Sequence, residues 1–214
     1  MSEDGFENNS EEKARSEVLL SAEKHLENHE YLDAIRDFHH LIFLGGAFEG
    51  RFGLFKSYSS IFFSQDDFPY FMDAGDLALL IGHDALEYGS HPLLYEDLST
   101  IYFLAGETQS AVDMIEEGLE KYPDNFHIMR NAAEYLGCFG GASNTKKAIT
   151  LLDKAIKQVE ENKEEFNRKA PAEESNNDSE GVLFDMAAYL IENLNDEKRR
   201  LEDKMRNMLP ELEF

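Results

Sequence analysis

Cysteine occurs once, at position 138, in a chain of 214 residues. A lone thiol cannot close an internal disulfide or supply a cysteine-based zinc site, and this usage fits a reducing compartment. Basic side chains are scarce as well: 20 Lys and Arg stand against 44 Asp and Glu, giving a formal charge of −24. No run of Lys and Arg offsets that charge. Such a surface repels phosphate backbones and anionic headgroups, which argues against nucleic-acid and membrane partners. Long apolar runs are also missing; none approaches the ~20 residues of a bilayer-spanning helix. The opening Met1-Ser2-Glu3-Asp4-Gly5-Phe6-Glu7 lacks the basic and apolar stretches of a secretory signal. The expected location is cytoplasmic. Nucleophile elbows, paired-glycine cofactor fingerprints and Cys–His partnerships are absent from the spacing, so the expectation is a non-enzyme with no cofactor and no metal.

What the chain does have is 42% hydrophobic residues, enough for a substantial core. Residues 1–14 are polar and acidic and are expected to form a disordered tail. From Arg15 to about Gln158 apolar residues recur at three- and four-residue spacing, broken by short turns, which predicts a succession of helices. Strand signals are weak: Leu41-Ile42-Phe43-Leu44 continues the helical phase of Ala34, Ile35 and Phe38, and Gly45-Gly46 reads as the terminator. Residues 159–180 read as an acidic helix end and linker. Residues 181–214 read as a C-terminal amphipathic helix, with Leu183, Met186, Leu190, Leu194, Leu201, Met205 and Met208 on its stripe and Pro210 as its stop.

The most informative segment runs from Pro92 to Asn125. Tyr95, Leu98, Ser99, Tyr102, Gly106, Ala111, Ile115, Gly118 and Pro123 fall at the spacing of the 34-residue helical-hairpin motif, and the segment resembles a tetratricopeptide repeat. Small residues sit where two antiparallel helices cross closely, large ones fill the wedge between hairpins, Gly106 allows the turn, and Pro123 ends the second helix. A weaker copy begins at Arg15 with Val18, Ala22, Tyr31, Ala34 and Phe38. Another begins at Phe126 with Met129, Ala132, Ala133 and Leu136, and needs about three extra residues within 140–144 before Ala148 and Ala155 fall into place. Ala47 to Gly89 reads as a stretched hairpin. The resemblance implies an all-α fold, a TPR-like solenoid of about four hairpins over residues 15–158 followed by the C-terminal helix.

In such arrays the first helix of each hairpin lines a groove. The resemblance therefore places Leu19, Glu23, Leu26, Glu96, Thr100, Phe103, His127, Arg130 and Glu134 at partner-binding positions, with Gly137 and Cys138 beside them. It implies a protein-binding adaptor or chaperone-like module, its groove acidic and apolar, its partner a peptide or helix with basic and apolar side chains. The groove positions lack the Lys, Asn and Arg that the family uses to clamp acidic chaperone tails. Two alternatives stand beside this reading. The worn repeats and trailing helix are similar to type III secretion translocator chaperones, and residues 181–209 could instead assemble copies of the chain into a homo-oligomer or coiled coil.

Other motifs read as structural. Nine of the 16 Phe lie between Phe38 and Phe71, and core filling is favoured over an aromatic pocket. His25 and His29 share a helical face but have no third ligand, and Cys138 reads as a small packing residue. Gly45–Arg51 lacks the Lys and Ser/Thr of a phosphate loop, and the stretch from Asn176 lacks the final Glu of a calcium loop.

Overall fold

The computed structural model describes residues 4–64, 71–139, 141–168 and 186–208. The protein is all-α. Its helices are α1 (Asp4–Glu27), α2 (Tyr31–Phe43), α3 (Ala47–Phe63), α4 (Phe71–Tyr88), α5 (Pro92–Leu104), α6 (Thr108–Lys121), α7 (Phe126–Phe139), α8 (Ala142–Glu161), α9 (Lys163–Arg168) and α10 (Met186–Met208). Two compact units divide the chain after Ala105. The division falls in the α5–α6 turn, where Gly106 adopts a left-handed φ of 79°.

Local chemistry sets most helix ends. His29 takes a left-handed φ of 61° between α1 and α2. Gly45, at φ 89°, ends α2 as expected: the Gly45 N–H donates to the Ile42 carbonyl and the Gly46 N–H to the Leu41 carbonyl. Pro92 opens α5, with His91 Nδ1 accepting from the Leu93 N–H at 3.2 Å. Asn125 Oδ1 accepts from the Ile128 N–H at 3.0 Å at the start of α7. The N-terminal expectation needs correcting. Helix α1 begins at Asp4, so most of the segment read as a disordered tail is helical, supported by Glu11–Arg15 and Lys13–Glu17 pairs one turn apart. The extra residues near 140–144 are likewise helical from Ala142 onward, lengthening α8 at its start. The 169–180 linker, Phe68, Leu183, Pro210 and the calcium-loop mimic lie outside the described residues.

The first unit, α1–α5, is built on aromatic rings set into glycines. Phe48, Phe55 and Phe62 recur every seven residues on α3, and Gly75, Gly82 and Gly89 recur every seven on and just beyond α4. Because the two helices run antiparallel, each ring meets one glycine. A Cβ at Gly75 would lie 2.9 Å from the Phe62 ring, at Gly82 2.9 Å from Phe55, and at Gly89 2.7 Å from Phe48. Ala78 and Ala85, fully buried, complete the small-residue seam. On the other flank of α3, Gly53 receives Phe38 of α2, where a Cβ would sit 2.1 Å from the ring. Phe38 and Phe55 are therefore core. Phe43, 86% exposed, is not, and Phe63 faces away from the side that takes Phe62 into Gly75. Arg51 closes the outer edge, pairing with Asp84 at 2.5 Å and lying over the Tyr88 ring at 3.9 Å.

The second unit holds α6–α10. Helix α7 packs between α6 and α8, and α10 lies along α8. Ile128, Met129, Ala132, Ala133 and Leu136 of α7, Ala148, Leu152, Ala155 and Val159 of α8, and Ala187 and Leu194 of α10 are buried. Lys147 bridges to Glu116 at 2.5 Å, and Gln158 Nε2 donates to the Asp124 carbonyl at 3.1 Å.

Two stability predictions follow from the first unit. Gly53→Ala should lower the thermal midpoint, because overpacking of ~1–3 kcal/mol exceeds the ~1 kcal/mol gained by removing a helical glycine. Adding Phe38→Leu should restore part of the loss. Asp97 on α5 has its carboxyl pushed up to about 7, first by burial and then by Glu96, with the Ser59 hydroxyl opposing. The folded state thus holds a proton that the unfolded chain releases, and stability falls as pH rises from about 4 to about 7. Asp97→Asn should raise the midpoint at pH 8, and that gain should vanish below pH ~4.

Candidate functional site

Helix α7 buries most of its surface and leaves one stripe open. Phe126, Ile128, Met129, Asn131, Ala132, Ala133, Tyr135, Leu136 and Gly137 are buried, while His127, Arg130, Glu134 and Cys138 remain exposed at steps of three and four. Helix α10 runs beside this stripe and presents Asn193, Glu197, Arg200 and Lys204 at the same kind of spacing. Between them lies an open groove of about 730 Å³, floored in part by Leu190, Leu194 and Leu201. A second recess of about 490 Å³ shares Arg130 and Leu190 with the first and is walled by Phe126, Phe166 and Met186. The Phe126 and Phe166 rings meet edge to face, their centroids 5.1 Å apart.

The far wall is held by contacts within the chain. Leu194, Leu201 and Met205 are buried, and Gly137 allows Leu201 to approach so closely that a Cβ would stand 2.8 Å from it. Lys204 Nζ donates to the Gly137 carbonyl at 2.5 Å and to the Cys138 carbonyl at 3.4 Å, answering backbone acceptors at the end of α7. Lys198 pairs with Asp153 at 2.6 Å, and the Ala187 N–H donates to Asn167 Oδ1 at 2.8 Å. Helix α10 thus buries Leu194, Leu201 and Met205 within its own chain, while Leu190 borders the groove and Met208 is exposed.

Charge in the groove is mixed: Arg130, Arg200 and Lys204 accompany Glu134, Asp196 and Glu197. Burial pushes the Glu197 carboxyl up, the Glu134 charge adds to the effect, and Arg130 and Arg200 oppose it. Burial and Glu134 also push the Cys138 thiol up, away from the thiolate form.

Of the nine residues expected at partner-binding positions, His127, Arg130 and Glu134 come together on these two adjoining recesses. Glu96, Thr100 and Phe103 lie half-buried on α5 in the other unit, where the Thr100 hydroxyl donates to the Glu96 carbonyl at 2.8 Å within its own helix. Glu23 is exposed on α1. Leu19 and Leu26 are half-buried, each packing against the core cluster of Ala22, Ala34, Phe38, Leu41 and Leu54. Their seven-residue separation brackets Ala22, which puts all three on one apolar stripe. Cys138 lines the groove and departs only from the packing role read for it, being exposed while its neighbour Gly137 packs against Leu201. The α10 side chains Glu197, Arg200 and Lys204, and Phe166 of α9, were not singled out by the sequence.

The histidine pair is occupied locally. His25 Nδ1 lies 2.5 Å from Glu30 and its Nε2 3.7 Å from Asp37, whereas His29 Nδ1 lies 2.9 Å from the Tyr31 hydroxyl. Among the described residues no three His, Cys, Asp or Glu side chains gather as metal ligands, and no described helix is long and apolar enough to cross a membrane. No protein-family model matches the chain, and no curated protein matches it.

Glu197 yields a pH prediction with a definite sign. Its raised folded-state value means that ionisation costs stability as pH climbs through and above the ordinary glutamate range. Glu197→Gln should therefore raise the thermal midpoint at pH 8 and leave it unchanged near pH 3.5, as followed by circular dichroism melts.

Proposed function

We propose that this chain is a non-catalytic binding scaffold of helical hairpins, holding a peptide segment or partner helix of another protein in the groove between α7 and α10. The observation that carries this reading is the exposed stripe His127, Arg130 and Glu134, which follows the groove register of the tetratricopeptide resemblance and has a second helix standing opposite as a wall. The walls offer charge, amide and apolar contacts together, the mixture that suits a polypeptide. Cys138, the one thiol at the groove, has its pKa raised, which suits a bystander better than a nucleophile. Pairing of two copies through α10 would need another apolar stripe, since Leu194, Leu201 and Met205 are already covered.

Affinity capture with the full chain at low and high ionic strength tests the scaffold. A partner should be retained at low salt, recovered less well at high salt, and lost from an Arg130→Ala/Glu134→Ala variant that keeps its helical spectrum. Equal recovery on the variant would remove the groove from the function.

A further inference from the structure

The occupant of this groove can be specified further, on the premise that the chain is a binding scaffold. The two recesses join at Arg130 and Leu190, so the open surface follows α7 from Phe126 to Cys138. Twelve helical steps span ~18 Å, room for about three turns of helix or five to six extended residues.

The two ends differ in chemistry. At the Phe126 end, Phe126, Phe166, Met186 and Leu190 form an apolar patch against which one aromatic or branched aliphatic side chain can pack, rimmed by Asp124, His127 and Glu165. At the other end, Glu134 and Glu197 face the same space, and neither makes a hydrogen bond or a direct ion pair among the described residues. Their charged neighbours are answered or hydrated. Asp196 pairs with Arg199, Lys204 is held by the Gly137 and Cys138 carbonyls, and Arg130 and Arg200 are exposed to water. An exposed guanidinium loses little by standing unpaired, whereas the half-buried Glu197 beside Glu134 gains when a cation arrives. At long range the chain's charge of −24 favours the same sign of visitor.

We propose that the groove takes a short amphipathic segment of a partner protein, a Lys or Arg entering between Glu134 and Glu197 and an apolar anchor packing on the Phe126–Phe166 patch. Glu134 and Phe126 are eight residues apart on α7, ~12 Å along the axis, which sets the cation and anchor about eight residues apart in a helical ligand or about four in an extended one.

The test uses the full chain and a fluorescent Ala/Gln-based helical peptide carrying Leu and Lys eight residues apart, with Glu-for-Lys and Ala-for-Leu counterparts. Anisotropy reads affinity, and iodoacetamide modification of Cys138, the sole cysteine, reads groove occupancy. The Lys peptide should bind and slow Cys138 modification, both counterparts should bind about tenfold more weakly or worse, and a Glu134→Gln/Glu197→Gln variant with unchanged helicity should lose the Lys peptide to the same degree. Binding that leaves Cys138 fully reactive, or is equal on the double variant, overturns this site but leaves the scaffold reading standing. Preference for the Glu peptide overturns the cation assignment. Failure of all three peptides while lysate partners are still captured through Arg130 and Glu134 overturns the ligand specification alone; failure of both experiments overturns the scaffold as well.

Discussion

The first unit depends on a missing atom. Where α3 crosses α4, three phenylalanine rings occupy volume that a Cβ would claim at Gly75, Gly82 and Gly89, and Gly53 does the same for Phe38 across the α2–α3 contact. Rings bury large apolar area, but two helices that both carry large side chains at their crossing are held apart. Concentrating bulk on one helix and removing it from the other lets the axes close while burial stays high. Helical glycine is costly in propensity, by ~1 kcal/mol each, so the recurrence of these residues at one phase indicates that packing decides their positions. The outer Arg51–Asp84 and Arg51–Tyr88 contacts then decorate a geometry already set by the seam.

The second unit uses the same economy at Gly137, and there it shapes the candidate site. Without a side chain at that position Leu201 can seat against α7, Lys204 can reach the carbonyls at the helix end, and α10 becomes a fixed second wall. The groove thus owes its width to a contact at one end. The exposed stripe on α7 opens from that contact toward Phe126, where the aromatic edge-to-face pair forms the other boundary.

Legibility in the sequence followed the range of the interaction. Helix ends at Gly45 and Gly106 were readable because turn chemistry is local, and the small residues Ala22, Ala34, Ala111, Gly118, Ala148 and Ala155 are buried as their periodic spacing required. Phe48, Phe55 and Phe62 were visible as an aromatic-rich stretch, yet their matching to Gly75, Gly82 and Gly89 needs the antiparallel register of two helices, which no single window contains. The core contact of half-buried Leu19 and Leu26 was harder to read, because a worn repeat fixes spacing better than facing; the stripe through Ala22 was the cue to it. Glu197 escaped notice for a different reason. In a chain with 44 acidic residues, a carboxylate becomes distinctive only through its surroundings, and burial beside Glu134 arises from folding.

One consequence concerns synthesis. Met186 follows Phe126 by 60 residues, so a growing polypeptide displays the α7 stripe well before its opposing rod has been translated. During that interval no cleft exists, only a bare charged ridge. Competence to grip another molecule is therefore acquired late in translation, and a prematurely terminated product would carry half of a vice.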